Sequence, residues 1–157
     1  MTYNEPIISY EFLVDLAEEC HKNKIKFILK TNAYVNKEPW GHICKLTDAM
    51  NIDWKGSEAE YKEICGANEY VIYDRIKEAF EMGVHIEISV PVYSTRKDDS
   101  YLNEFVEFVS SLDKNIPIHL LRIFPSNKWN NTTSTSEIVV KSAATFLSSC
   151  GLYNVYI

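Results

Sequence analysis

From end to end the chain alternates stretches of helical hydrophobic period with short stretches of strand period, and this alternation restricts it to an α/β fold. The cleanest strand is predicted over Val84–Val92, where Val84, Ile86, Ile88 and Val90 alternate with His85, Glu87, Ser89 and Pro91. It follows a helix predicted over Tyr70–Met82, with Ile72, Ile76, Ala79 and Phe80 on one stripe and Gly83 as its left-handed terminator. Strands separated by helices pair in parallel through right-handed crossovers, and such sheets place function at the carboxyl ends of the strands. In a βα barrel the apolar side of Val84–Val92 packs on outer helices, leaving His85, Glu87 and Ser89 facing a wet or ligand-filled lumen. The plainer alternative is an edge strand with one solvated face.

The other elements follow the same pattern. A helix from Ser9 carries Ile8, Phe12, Leu13, Leu16 and Cys20 and leads into a strand over Ile25–Thr31. A weaker helix over Glu38–Leu46 precedes a strand through Met50, Ile52 and Asp53. Ser57 with Glu60, and Ser134 with Glu137, have the spacing of capping boxes, and Gly66 breaks the chain between them. A helix with Leu102, Phe105, Val106, Val109 and Leu112, entered from Asp98 and Asp99, leads to a strand over Ile116–Phe124. The helix opened by Ser134 ends at Gly151, and Tyr153–Ile157 is the last strand. The expected fold is one domain over 1–157 with about five parallel strands and outer helices. A whole (β/α)8 barrel takes about 250 residues, so 157 residues give a partial (β/α) barrel, read here as truncated on its N-terminal side.

A formal net charge of -6 argues against tracking nucleic-acid phosphates, which requires clustered Lys and Arg. No apolar run approaches the roughly 20 residues of a membrane span, and Met1–Ile8 has no signal-peptide pattern, so a cytoplasmic protein without membrane contact is expected. The 4 cysteines, Cys20, Cys44, Cys65 and Cys150, are scattered and read as reduced, packed thiols. His42 and Cys44 are too few to make a metal site.

The strand ends hold Thr31 and Asn32, Asp53 and Lys55, Pro91 and Tyr93, and Arg122 and Phe124, and Glu5 precedes the first helix. Glu5, Asn32, Asp53 and Lys55 are expected around one concavity. Carboxylates, an amide and an ammonium on one rim suit a zwitterionic ligand. Taken singly, Asn32 also reads as a turn former, Asp53 as a cap and Lys55 as a solvated charge.

Thr2-Tyr3-Asn4-Glu5-Pro6, Thr31-Asn32-Ala33-Tyr34, Asn51-Ile52-Asp53-Trp54-Lys55-Gly56, Cys65-Gly66-Ala67 and His119-Leu120-Leu121-Arg122 resemble, in sequence and order, radical S-adenosylmethionine (SAM) enzymes related to pyruvate formate-lyase activating enzyme, in the AmmeMemoRadiSam-system branch. The closing Gly151–Ile157 takes part in the resemblance. It implies a partial barrel in which a [4Fe-4S] cluster cleaves SAM to a 5'-deoxyadenosyl radical. It further implies a cofactor-binding set of Asn4, Glu5, Thr31, Asn32, Asp53, Lys55 and Arg122, with Glu5 on the methionine ammonium and Thr31, Asn32, Asp53 and Lys55 along the methionine and ribose.

The sequence departs from the family in three places. The Cys-x3-Cys-x2-Cys loop that holds the cluster is missing, and three thiolates from one short loop cannot be replaced by distant cysteines. Arg122-Ile123-Phe124-Pro125 stands where relatives read Arg-Phe-His-Pro, which removes a hydrogen-bonding ring. Lys30 stands where glycyl-radical activating enzymes carry an Asp; either its ammonium takes the place of a cation they hold, or it is a solvated lysine. The leading expectation is therefore the C-terminal portion of a radical SAM enzyme that supplies the SAM pocket and is inactive alone. Its cluster would then require a complementing chain or upstream segment, and apolar surface around Phe12, Phe27 and Leu29 would favour such a partner or a homo-oligomer. The alternatives are a non-catalytic SAM, nucleoside or assembly module and a Schiff-base lyase using Lys30.

Overall fold

A computed structural model describes residues 4–94, 100–125 and 133–157. Thr2 and Tyr3 of the first motif, and the helix entry at Asp98 and Asp99, lie outside the described residues. After a 3-10 turn at Pro6–Ser9, the elements are α1 (Tyr10–Lys22), β1 (Ile28–Thr31), α2 (Lys37–Leu46), β2 (Ala49–Asp53), α3 (Glu58–Glu60), α4 (Glu69–Glu81), β3 (His85–Val92), α5 (Asn103–Leu112), β4 (Ile118–Arg122), α6 (Glu137–Ser149) and β5 (Val155–Tyr156). The strands form one five-stranded sheet ordered β1-β2-β3-β4-β5. β1 runs parallel to β2, with Lys30 opposite Asn51, and β4 runs parallel to β5. The expected α/β fold with five parallel strands and helices is thus the observed one.

The chain divides into two compact units, Met1–Asp53 with Asn68–Ile88, and Trp54–Ala67 with Ser89–Ile157. In the first, Leu29, Met50, Ile52, Ile86 and Ile88 are buried with Leu13, Trp40 and Ile76 of the helices. The alternate residues Ile28, Lys30, Asn51, Asp53, His85 and Glu87 are all at least partly exposed. One sheet face is therefore apolar and the other polar, as a period of two requires. Burial of the apolar face is worth about 1.5–3 kcal/mol per large side chain.

This pattern corrects one expectation. Phe12 is 58% exposed, but Phe27 and Leu29 are buried at 5% and 0%, because their side of β1 is the covered one; the exposed apolar residue there is Ile28 at 61%.

In the second unit Trp54 packs on Phe105, ring centroids 4.6 Å apart. Val90, Ile118, Leu120, Ala143 and Leu147 complete its core. Ser89, expected in a wet lumen, is only 4% exposed. The capping box of Ser57 and Glu60 is present, but the helix it opens lasts one turn before a π-helical turn at Tyr61–Cys65 and a left-handed Gly66. The expected box of Ser134 and Glu137 is not formed. Ser136 is the N-cap instead, its Oγ accepting from Val139 N at 3.4 Å, because the helix starts at Glu137.

Candidate functional site

The chain entering α1 and the end of β1 are tied together by one carboxylate. Glu5 caps the Pro6–Ser9 turn, its Oε1 accepting from Ile7 N at 3.2 Å. The same oxygen accepts from Thr31 Oγ1 at 2.6 Å, and Oε2 accepts from Asn32 N at 2.7 Å. Thr31 Oγ1 in turn accepts from Ala33 N at 3.0 Å, and Asn32 Oδ1 accepts from Tyr34 N at 2.9 Å in an Asx turn. Between them Ala33 is fully buried with a positive φ of 55°. A left-handed alanine costs roughly 1 kcal/mol, which the surrounding hydrogen bonds offset. An ionised carboxylate has about four acceptor directions. Among the described residues three are used, by Ile7, Thr31 and Asn32.

On the polar sheet face Lys30 Nζ donates to Asn51 Oδ1 and to Asp53 Oδ1, each at 2.7 Å. The two strands place these groups side by side: Lys30 is opposite Asn51, and Asp53 follows two residues later on the same face.

Lys55 and Arg122 belong to the second unit. The Lys55 backbone is held on both sides by tyrosines: its N–H donates to Tyr61 Oη at 3.0 Å, and its carbonyl accepts from Tyr93 Oη at 2.6 Å. Burial pushes the Tyr93 phenol up, so it stays a donor. Arg122 Nε donates to Thr135 O at 2.8 Å, and its guanidinium lies 5.1 Å from the centre of the Phe124 ring. The Phe124 ring thus meets the arginine as a cation–π partner. Thr135 is fully buried, and its hydroxyl donates to Val92 O at 2.7 Å. Arg122 also lines a cavity of about 260 Å³ with Leu120, Glu137, Val140, Lys141 and Ile157.

Of the sequence-derived set, Glu5, Thr31 and Asn32 are directly bonded to one another, and Asp53 is joined to the strand bearing Thr31 through Lys30. Asn4 is exposed in a bend immediately before Glu5. Asn51 joins this group through Lys30, and the period of two that pairs it with Asp53 is the signal that finds it. Thr135 carries no such signal, and Tyr93 shows only as a strand-end residue, because their partners, Val92 O and Lys55 O, are backbone groups distant in sequence.

A cluster does not fit the thiols present. Among the described residues no group of three or more His, Cys, Asp and Glu side chains is placed to hold a metal ion. All four cysteines are free. Cys44 is buried, and desolvation pushes its thiol up to about 12, with Glu78 adding to the rise. The neighbouring His42 instead meets Tyr10, Nδ1 to Oη 2.6 Å.

No family model matches the chain. It is 32% identical to an uncharacterized protein of Methanocaldococcus jannaschii, over 99% of this chain and 47% of that protein. It is 30% identical to the 4-hydroxyphenylacetate decarboxylase activating enzyme of Clostridioides difficile, over 80% of this chain and 41% of that enzyme. The chain therefore spans less than half the length of these curated relatives. Among solved structures, a domain of pyruvate-formate lyase-activating enzyme from Bacteroides vulgatus superimposes with a TM-score of 0.84 at 22% identity, covering 100% of this chain and 96% of that one. Streptococcus suis SuiB bound to S-adenosylmethionine matches with a TM-score of 0.60 at 15% identity, over 91% of this chain and 35% of that one. The chain thus shares the α/β fold of an activating-enzyme domain and of a protein that binds S-adenosylmethionine. No helix among the described residues is long and apolar enough to cross a membrane.

Proposed function

We propose that this chain supplies the SAM-binding part of a radical SAM enzyme resembling the activating proteins of glycyl-radical enzymes, and that it does not cleave SAM alone. The observation that carries this reading is the Glu5, Thr31 and Asn32 cluster at the carboxyl end of β1, on a fold shared with an activating-enzyme domain. Glu5 receives the methionine ammonium through its remaining acceptor direction. Thr31 and the Asn32 amide fix the carboxylate, so it is organised before the ligand arrives. The resemblance also names Asn4, Asp53, Lys55 and Arg122 for the cofactor, but the proposal rests on the bonded residues of the first unit.

The cluster ligands belong to a different polypeptide segment, because three closely spaced thiolates are absent from this sequence. The partner is a segment bearing the cysteine loop. It is drawn to β1, the strand at one end of the sheet order, where Ile28 is 61% exposed. Four free cysteines agree with work in the reducing cytoplasm. Non-catalytic binding of SAM or a nucleoside is the second reading, favoured by the same preformed cluster in a chain without the thiolates.

Equilibrium dialysis with labelled SAM tests the function. Saturable one-to-one binding of SAM that is lost in Glu5→Gln is expected; no binding, or binding indifferent to Glu5, overturns the assignment. Light scattering over a dilution series reads the partner surface, where a self-associating chain would show a second copy in place of the complementing segment.

A further inference from the structure

β4 and β5 run parallel with Ile118 opposite Val155, so the alternation carried two residues on sets Leu120 beside Ile157, and Arg122 follows Leu120 on the same side of the sheet. On α6, Glu137, Val140 and Lys141 are three and four residues apart and form one stripe. These six residues line a cavity of about 260 Å³ within the second unit. Leu120 and Val140 are buried and give it an apolar floor, while Arg122, Glu137 and Lys141 are exposed and put charges at its mouth.

The Arg122 guanidinium is held from two directions. Nε donates to Thr135 O at 2.8 Å, and the Phe124 ring centre lies 5.1 Å from its central carbon. Thr135 is itself fully buried and donates to Val92 O, so the anchor is fixed. Among the described residues no hydrogen bond engages Nη1 or Nη2. Nη1 is 4.0 Å from Glu137 Oε1, and Lys141 Nζ is 3.6 Å from Glu137 Oε2, both beyond hydrogen-bond reach. Exposed pairs of this kind are worth about 0–1 kcal/mol, and a carboxylate that meets both outer nitrogens of a guanidinium is the stronger partner. Two cations facing one carboxylate leave a positive charge at the mouth of an apolar cavity.

We propose that this cavity is a second binding site, for a small monocarboxylate with an apolar body about the size of one ring. The carboxylate lies on the outer edge of Arg122, with Lys141 adding its charge, and the body rests on Leu120, Val140 and Ile157. A sealed apolar cavity of about 150 Å³ takes benzene, so a volume of about 260 Å³ leaves room for a ring and its carboxylate. The proposal is independent of the SAM reading, which rests on residues of the first unit.

The test is an NMR titration of the methyl groups of Leu120, Val140 and Ile157 with benzoate, with benzamide as its uncharged isostere and benzylamine as the cation. Saturable shifts are expected at millimolar benzoate, with benzamide about tenfold weaker, the scale of one charge-assisted contact. Arg122→Gln is expected to weaken benzoate by about tenfold and to leave benzamide unchanged. Glu137→Gln alters an exposed side chain and removes the carboxylate that competes for both cations, so it is expected to tighten benzoate by roughly threefold. A purely structural role for these ion pairs predicts no such gain, and this variant decides the matter even if Arg122→Gln does not fold. No methyl shifts, benzamide or benzylamine binding as tightly as benzoate, or unchanged or weaker binding in Glu137→Gln overturns the proposal. Saturating SAM is expected to leave the benzoate shifts in place; their loss would make the cavity part of the SAM site and overturns the proposal as well. A chain that takes benzoate but not SAM removes the SAM reading and keeps this one.

Discussion

Glu5 and Thr31 stand 26 residues apart in the chain, yet their side chains meet at 2.6 Å, Oγ1 donating to Oε1. This contact fastens the turn before α1 to the carboxyl end of β1. It also orients the carboxylate that the Asn32 amide holds from its other oxygen. Structure and the proposed SAM binding therefore depend on the same group.

Glu5→Gln is expected to cost about 1–3 kcal/mol of stability, because an amide nitrogen would face one of the donors that now meet a carboxylate oxygen. Thr31→Val, which removes the hydroxyl and keeps the branched shape, is expected to cost about 1 kcal/mol. Urea unfolding of both variants checks this, and a Glu5→Gln protein as stable as the wild type would show that the cluster bears no load.

Gly56 follows Lys55 with a φ of +139°, and an added Cβ would lie 2.5 Å from Glu60 Cβ. Gly56→Ala is expected to destabilise the chain by roughly 1–3 kcal/mol, through backbone strain and displacement of Glu60 from its bonds to Ser57. Those bonds are 2.9 Å from Ser57 N and 2.6 Å from Ser57 Oγ, so Ser57→Ala should show a smaller loss in the same denaturation assay.

Asp48 accepts from Lys26 at 2.6 Å, Phe27 N at 2.8 Å and His21 at 3.1 Å. The Lys26 and Phe27 hydrogen bonds, with that of His21, hold its carboxyl down at about 2, against an ordinary 3.8. A depressed folded value means its stabilisation is complete above the unfolded value and is lost as pH falls from 3.8 towards 2. The stability difference between wild type and Asp48→Asn, followed by urea unfolding, is expected to shrink across that window and to stay level above pH 5.

Anaerobic reconstitution with iron and sulfide is expected to leave this chain without a stoichiometric [4Fe-4S] cluster. Buried Cys44, with its thiol raised to about 12, is expected to react with Ellman's reagent only on unfolding, while exposed Cys65 reacts in the native protein. A cluster signal from the chain alone would place its thiolates in a geometry unlike the present one.

The α/β class and the succession of elements along the chain were legible because most segments have a clear period. Ile86 and Ile88 are buried, and His85 and Glu87 are not, as alternation alone foretells. The same rule, applied strictly to Phe27 and Leu29, would have put them under the helices. The strand-end polar residues were visible in sequence, but their bonding was not: nothing local says that Glu5 would reach Thr31 or that Lys30 would reach Asp53. The start of α6 was misplaced for a related reason, since Ser134 and Ser136 are equally good caps and the fold, through the bond of Thr135 N to Ile123 O at 2.9 Å, selects the second.

The most direct measurement is a SAM titration followed by backbone amide NMR. Asn32 N and Ile7 N donate to Glu5, and Ala33 N donates to Thr31, so these three amides report on the carboxylate and its nearest partner. The expected result is saturable shifts of Ile7, Asn32 and Ala33, with Asn51 and Asp53 following, and their loss in Glu5→Gln. Shifts confined to residues around the cavity of Leu120, Arg122 and Lys141, or no shifts at millimolar SAM, would contradict a SAM site built on Glu5.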